Sequence, residues 1–215
     1  MKDLLIKELR LAAHPLSWFF LVFALMTLIP GYPILVGSFF VCLGIFQSFQ
    51  STRETNDVLY TVLLPIEKSG AVRAKYIFVC FIQLLALFLM AVLTVLRMTL
   101  WGSAAVYVNN AMMNANLFYL ACALMVFTLF NTVFVGPFFK TAYKFGKPFV
   151  AFAVTSFLLI GAAEALHHIP GLTFLNGVEK LPVQAAILVL AAAIYAGGTL
   201  LSLRAAQNSF AKLDL

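Results

Sequence analysis

Apolar residues run through this chain in long blocks, separated by short polar stretches. Crossing about 30 Å of hydrocarbon takes roughly 20 helical residues at 1.5 Å each. Six runs approach or exceed that length: 15–29, 32–50, 76–100, 117–135, 148–166 and 183–203. The pattern predicts an all-α polytopic membrane protein, a single transmembrane domain over residues 1–215. Pro30-Gly31 leaves only a tight hairpin between the first two runs. A basic start (Lys2, Lys7, Arg10) before an apolar run also fits a secretory signal. However, Ile29-Pro30-Gly31-Tyr32 lacks a small-x-small cleavage site and a second run follows at once, so the first span is read as retained.

The polar segments carry their own patterns. In 1–14, Leu5, Ile6, Leu9, Ala12 and Ala13 share one helical face, with Asp3, Lys7 and Arg10 opposite. This spacing predicts a helix lying in the membrane interface, with Asp3 and Lys7 as an i,i+4 pair; a plain cationic anchor is the alternative. The longest connection, 51–75, opens with Ser51-Thr52-Arg53-Glu54, the spacing of a capping box. Asp57 adds negative charge near that expected N-terminus; Val58, Leu59, Val62 and Leu63 follow at helical spacing, and Leu64-Pro65 would end the helix. The product is a short amphipathic helix presenting Glu54, Asp57 and Tyr60, able to receive force from a soluble partner. A solvated connector fits the composition equally well.

Segment 136–147 interleaves Lys140, Lys144 and Lys147 with Phe138, Phe139, Tyr143 and Phe145. Aromatics among headgroups and lysines against anionic lipid account for this better than nucleic acid does. Segment 167–182 is too short to span and too apolar for an ordinary loop, as expected of a re-entrant or interfacial element before the last span. Residues 204–215 form a polar tail.

Composition sharpens the class. With 63% hydrophobic and 10% charged residues and a mean hydropathy of +1.01, the chain is neither a soluble domain nor a disordered one. Its net charge of +6 is distributed asymmetrically. Twelve of fourteen basic residues fall before span one, between spans two and three, between four and five, or after six; only Arg97 and Lys180 fall opposite. That bias predicts both termini in the cytoplasm. Trp18, Tyr60, Tyr76 and Tyr143 then lie near the inner boundary, and Tyr32, Trp101 and Tyr107 near the outer. Cys42, Cys80 and Cys122 are isolated in apolar runs and form no metal or disulfide pattern.

Recognisable chemistry is sparse. Gly146-Lys147-Pro148 lacks the remainder of a phosphate-binding loop, so the chain cannot hydrolyse ATP by that device; no zinc-protease or serine-hydrolase motif occurs. Glu164, His167 and His168 share a helix face near the outer end of span five. They fit a proton relay, a metal site or simply a helix end meeting water; Glu164 and His167 are candidates for a pathway or outer gate. No cofactor or metal is expected. Asn131, flanked by Thr128 and Thr132, makes a polar patch in span four, available for interhelical bonding or for the pathway. Arg97 is expected to snorkel outward from span three. Gly37, Gly44 and Ser48 on span two, and Ala193-x-x-x-Gly197 on span six, mark faces where helices can approach closely.

Leu64-Pro65-Ile66-Glu67-Lys68, then Val72 and Lys75-Tyr76 entering span three, resembles the permeases of ABC-2 type transporters. Glu67 departs from their pattern, which has a small hydroxyl residue there. The layout of interfacial helix, six spans, internal termini and an apolar segment before the last span resembles theirs over the whole chain. The resemblance implies a permease subunit working with a second permease copy or paralogue and two cytoplasmic ATPase subunits. Glu54, Asp57, Tyr60, Leu64, Pro65 and Lys68 would then form the ATPase-coupling region. Within this branch the chain resembles exporters of phenol-soluble modulins and other antimicrobial or amphipathic peptides; lantibiotic-immunity and drug-efflux permeases are close competitors. A vitamin importer's substrate-binding subunit is the rival of similar size, and a membrane-embedded enzyme a third class.

Overall fold

The computed structural model describes residues 2–9, 13–57, 67–141 and 144–213, and all regular structure among them is helical. Four helices are long and apolar enough to cross a membrane: Lys68–Leu100, Leu117–Thr141, Gly146–Leu166 and Leu181–Ala211. They coincide with the last four predicted spans. Numbered in chain order, α1 is Lys2–Lys7, α2 Pro15–Phe19, α3 Val36–Glu54, α4 Lys68–Leu100 and α5 Ala105–Val108. Then come α6 Leu117–Leu129, α7 Gly136–Thr141, α8 Gly146–Leu166 and α9 Leu181–Ala211. A π-helical stretch, Phe130–Val135, joins α6 to α7, so that together they form the third apolar helix.

The helices α4 and α9, of 33 and 31 residues, are about 50 and 46 Å long at 1.5 Å per residue. They outrun the predicted spans 76–100 and 183–203 chiefly at one end. There Lys68 Nζ donates to the Leu213 carbonyl at 2.6 Å and Gln207 Nε2 to the Ser69 carbonyl at 3.1 Å. The two helices are thus laced together beyond their apolar segments, and much of the expected tail 204–215 is helix. The N-terminal segment packs at the same end, through Glu8 and Lys75.

The first hairpin departs furthest from expectation. Residues 15–29 do not form one α-helix. After the five residues of α2 the chain tightens into a nine-residue 3-10 helix, Phe20–Leu28. A 3-10 helix rises about 2.0 Å per residue, so the run extends about 25 Å instead of the roughly 21 Å an α-helix would give. The second run becomes α3, which starts later than 32 and continues past 50 through Ser51-Thr52-Arg53-Glu54. Close approach holds this pair. A Cβ on Gly37 would fall 2.6 Å from the Phe23 carbonyl oxygen, and one on Gly44 2.5 Å from Phe20 Cβ. Ser17 Oγ donates to the Gly44 carbonyl at 2.7 Å and lies 2.7 Å from Ser48 Oγ.

At the centre stands α6–α7, the most buried of the four long helices. Phenylalanines fill the space around it. Phe46 and Phe49 of α3 and Phe134 pack edge to face, and Phe46 stacks on Phe149 of α8 with centroids 4.0 Å apart. Helices α8 and α9 keep apolar outer faces, with Val150, Val154, Leu158, Val189, Leu190 and Leu201 exposed. In a bilayer such faces meet lipid.

Gly37→Val should lower stability by about 1–3 kcal/mol, because the added methyl groups overpack a backbone contact. Gly197→Ala, at a position inside α9 with nothing within 4 Å, should not lower stability and should raise it by up to about 1 kcal/mol. Thermal unfolding in detergent micelles compares the two.

Candidate functional site

The end bearing the termini contains the expected coupling region, and it is built around buried charge. Lys75, on the first turns of α4, is 4% exposed and Glu8 6%. Their Nζ and Oε2 atoms are 2.9 Å apart. Lys75 also donates to Thr52 Oγ1 at 2.9 Å, and its ammonium lies 5.2 Å from the Phe49 ring centre. Thr52 in turn donates to the Ser48 carbonyl at 2.6 Å. One lysine thus joins the N-terminal segment, α3 and α4. Beside it Lys7 pairs with Asp57 at 2.7 Å and lies 3.6 Å from Glu8.

One local expectation changes, and two contacts are added to it. The Ser51–Glu54 spacing does not open a new helix: these residues form the last turn of α3. The break falls at Thr55-Asn56, where Asn56 takes a left-handed backbone with φ of 53°, a conformation asparagine tolerates better than most residues. A hydroxyl and an acid three apart fit the end of a helix as readily as its beginning. Second, Lys7 reaches across to Asp57, beyond α3; the side chain of Asp3, its expected i,i+4 partner, lies outside the described residues. Third, Glu8, which the helical wheel left unplaced, points inward to Lys75, while the apolar Ile6 is 41% exposed. Of the coupling candidates, Glu54 is exposed and its carboxylate accepts from Gln50 Nε2 at 3.5 Å; Lys68 binds the tail at Leu213. Tyr60, Leu64 and Pro65 lie outside the described residues.

Midway along the bundle, Asn131 is fully buried. It exchanges two amide bonds with Gln83 of α4, at 3.0 and 3.1 Å, and donates to Thr199 Oγ1 of α9 at 2.9 Å. Tyr195 OH donates to Gln83 Oε1 at 2.9 Å, and Ser202 Oγ to the Asn131 carbonyl at 2.7 Å. Tyr76 OH lies 2.8 Å from Ser202 Oγ. The π turn presents the Asn131 side chain and carbonyl together, so one residue ties three helices. Sequence reasoning found Asn131 and missed Gln83. A lone amide in an apolar run, seven residues beyond Tyr76, was the available signal.

At the opposite end, Glu164 Oε2 accepts from the Met113 backbone N–H at 2.9 Å, and its Oε1 is buried without a bonded partner. His167 Nε2 lies 3.3 Å from the Ala111 carbonyl, and its ring sits 4.1 Å from that of His168. The acid and His167 therefore pin the same connection, 111–113, and among the described residues no three potential ligands converge as a metal site would require. The apolar segment 172–175 contains a single 3-10 turn, Thr173–Leu175. Side chains take its carbonyls: Asn116 Nδ2 bonds Leu175 O at 2.7 Å and Gln184 Nε2 bonds Phe174 O at 2.7 Å. Arg97 does not snorkel. It is 3% exposed, and donates to the Thr27 carbonyl and to Asn114 Oδ1, both at 2.7 Å. A carbonyl left open at the end of the 3-10 helix takes one of its donors.

The long apolar helices, joined by buried polar contacts, define a multi-pass membrane protein. The family model described as ABC-2 family transporter protein matches residues 3–207, and the chain belongs to that family. It is a membrane permease of an ABC transporter, the transport component rather than the catalytic one, and members of the family work with ATPase subunits. No curated protein and no solved structure matches it.

Lys75→Met leaves the buried Glu8 with only the longer contact to Lys7 and should cost up to about 3–5 kcal/mol. Combining it with Glu8→Leu should recover most of the loss, which a double-mutant cycle of thermal unfolding would measure.

Proposed function

We propose that this permease is an exporter subunit of a complex with two ATPase chains and a second permease copy or paralogue. In this reading the end with both termini faces the cytoplasm, consistent with its excess of basic residues. ATP hydrolysis belongs to the partner chains. The observation that carries the reading is the Lys75 junction. Glu54 and Arg53 are exposed one turn from Thr52, which Lys75 bonds directly. A push on the segment beginning at Glu54 and Asp57 therefore reaches α3, α4 and the N-terminal segment together. Tyr60, Leu64, Pro65 and Lys68 complete the proposed docking region.

At the other end Glu164 and His167 act as the outer gate, since both hold connection 111–113 against α8. Asn131 is the pathway residue whose bonds must rearrange when α4 and α9 separate. The cargo class is an amphipathic peptide or another hydrophobic compound; the resemblance to peptide exporters favours it over a water-soluble vitamin.

Glu54→Arg tests the docking region without touching the Lys7–Asp57 pair. It should reduce ATPase co-purification and transport at least about tenfold, as loss of a central interface contact does, while membrane insertion and melting temperature stay unchanged. Undiminished co-purification and transport in Glu54→Arg and in Glu54→Ala/Asp57→Ala would overturn the coupling role.

A further inference from the structure

At the end of the bundle away from the termini, the last turns of α4, helix α5 and the segments 114–116 and 176–179 enclose a cavity of about 690 Å³. That is a volume suited to a small organic ligand and larger than a bare ion needs. Arg97, Ser103, Tyr107, Asn114 and Asn116 supply polar lining, and Met98, Val108 and Val178 apolar lining. The Arg97 guanidinium lies in the wall, 4.1 Å from the centre of the Tyr107 ring.

Its protein partners are all neutral. The Thr27 carbonyl and the Asn114 amide oxygen take one donor each, and among the described residues no carboxylate comes within ion-pairing distance. A guanidinium carries five N–H donors in a planar fork, so three remain beyond those two bonds. A cation only 3% exposed and without a counter-charge favours an anion that enters the cavity beside it. The fork matches two oxygens of a phosphate, and the ring face of Tyr107 keeps it oriented.

We propose that this cavity binds an oxyanion on Arg97: the phosphate of a lipid headgroup or of a free solute. The mixed lining suits a headgroup with its glycerol, charge toward Arg97 and carbon toward Met98, Val108 and Val178. Glu179, exposed on the same wall, opposes the anion and limits its affinity. The site is independent of ATPase docking, which occurs at the other end.

Trp101 lies between the lining residues Thr99 and Gly102, and the chain's other tryptophan is Trp18. Trp18→Phe protein, purified in a nonionic detergent, makes Trp101 fluorescence the local readout. It is titrated with dihexanoylphosphatidylglycerol and, in a second arm, with inorganic phosphate. A saturable change is expected, weakened at least about tenfold by Arg97→Gln and strengthened about two- to fivefold by Glu179→Gln. Saturation by the short-chain lipid alone assigns a headgroup; equal affinity for inorganic phosphate assigns a free oxyanion. No saturable change with either probe, or equal affinity in all variants, overturns the site. Should Arg97→Gln fail to fold, Arg97→Lys and the exposed Glu179→Gln carry the decision, and unchanged affinity in both overturns it.

Discussion

A polar or charged side chain taken into a bilayer must find its partners inside the protein, and α4 imposes that requirement at three depths. Lys75, Gln83 and Arg97 are each buried, separated by about 12 and 21 Å along the helix. Each recruits different elements: Lys75 gathers the N-terminal segment and α3, Gln83 the central helix and α9, and Arg97 the end of the 3-10 helix with the loop around Asn114. Lipid supplies little hydrophobic drive for helices to associate, so such bonds, with close packing at small residues, decide which helices adjoin. The remaining contacts, including the phenylalanine cluster, fill the space those three anchors define.

How much of this was legible in the sequence depended on the range of the interaction. The four long helices followed from run length, because the thickness of oil fixes a minimum stretch of apolar residues. Their ends did not. Residues 68–75 and 204–211 are polar yet helical, and hydropathy records where oil stops rather than where a helix stops. Nothing local singled out Glu8, because its partner Lys75 is 67 residues away. Arg97 looked destined for water because nothing local offered it a carbonyl, and the acceptor comes from a segment 70 residues earlier. Asn131 and its threonines were visible as a polar patch, but only the fold brought Gln83 opposite.

The end bearing the termini and the far end differ in kind. Near the termini, the buried lysine is neutralised by an acid of the same chain and ties α4 to α3 and the N-terminal segment. At the far end, Glu164, His167 and Asn116 bond backbone groups, and the buried Arg97 bonds only neutral partners. One end balances its buried cation within the chain; the other, among the described residues, does not.

The 3-10 stretch Phe20–Leu28 gives the first hairpin a distinct relation to its membrane. Conversion to an α-helix would shorten nine residues by about 4.5 Å and rotate every side chain beyond it. Neither the Gly37 nor the Gly44 contact would survive that rotation, so the hairpin is a strut of fixed length. A bilayer thicker or thinner than the strut must deform around it, at a modest cost per ångström of mismatch. Through its own fixed length, the first hairpin therefore links the fold to bilayer thickness.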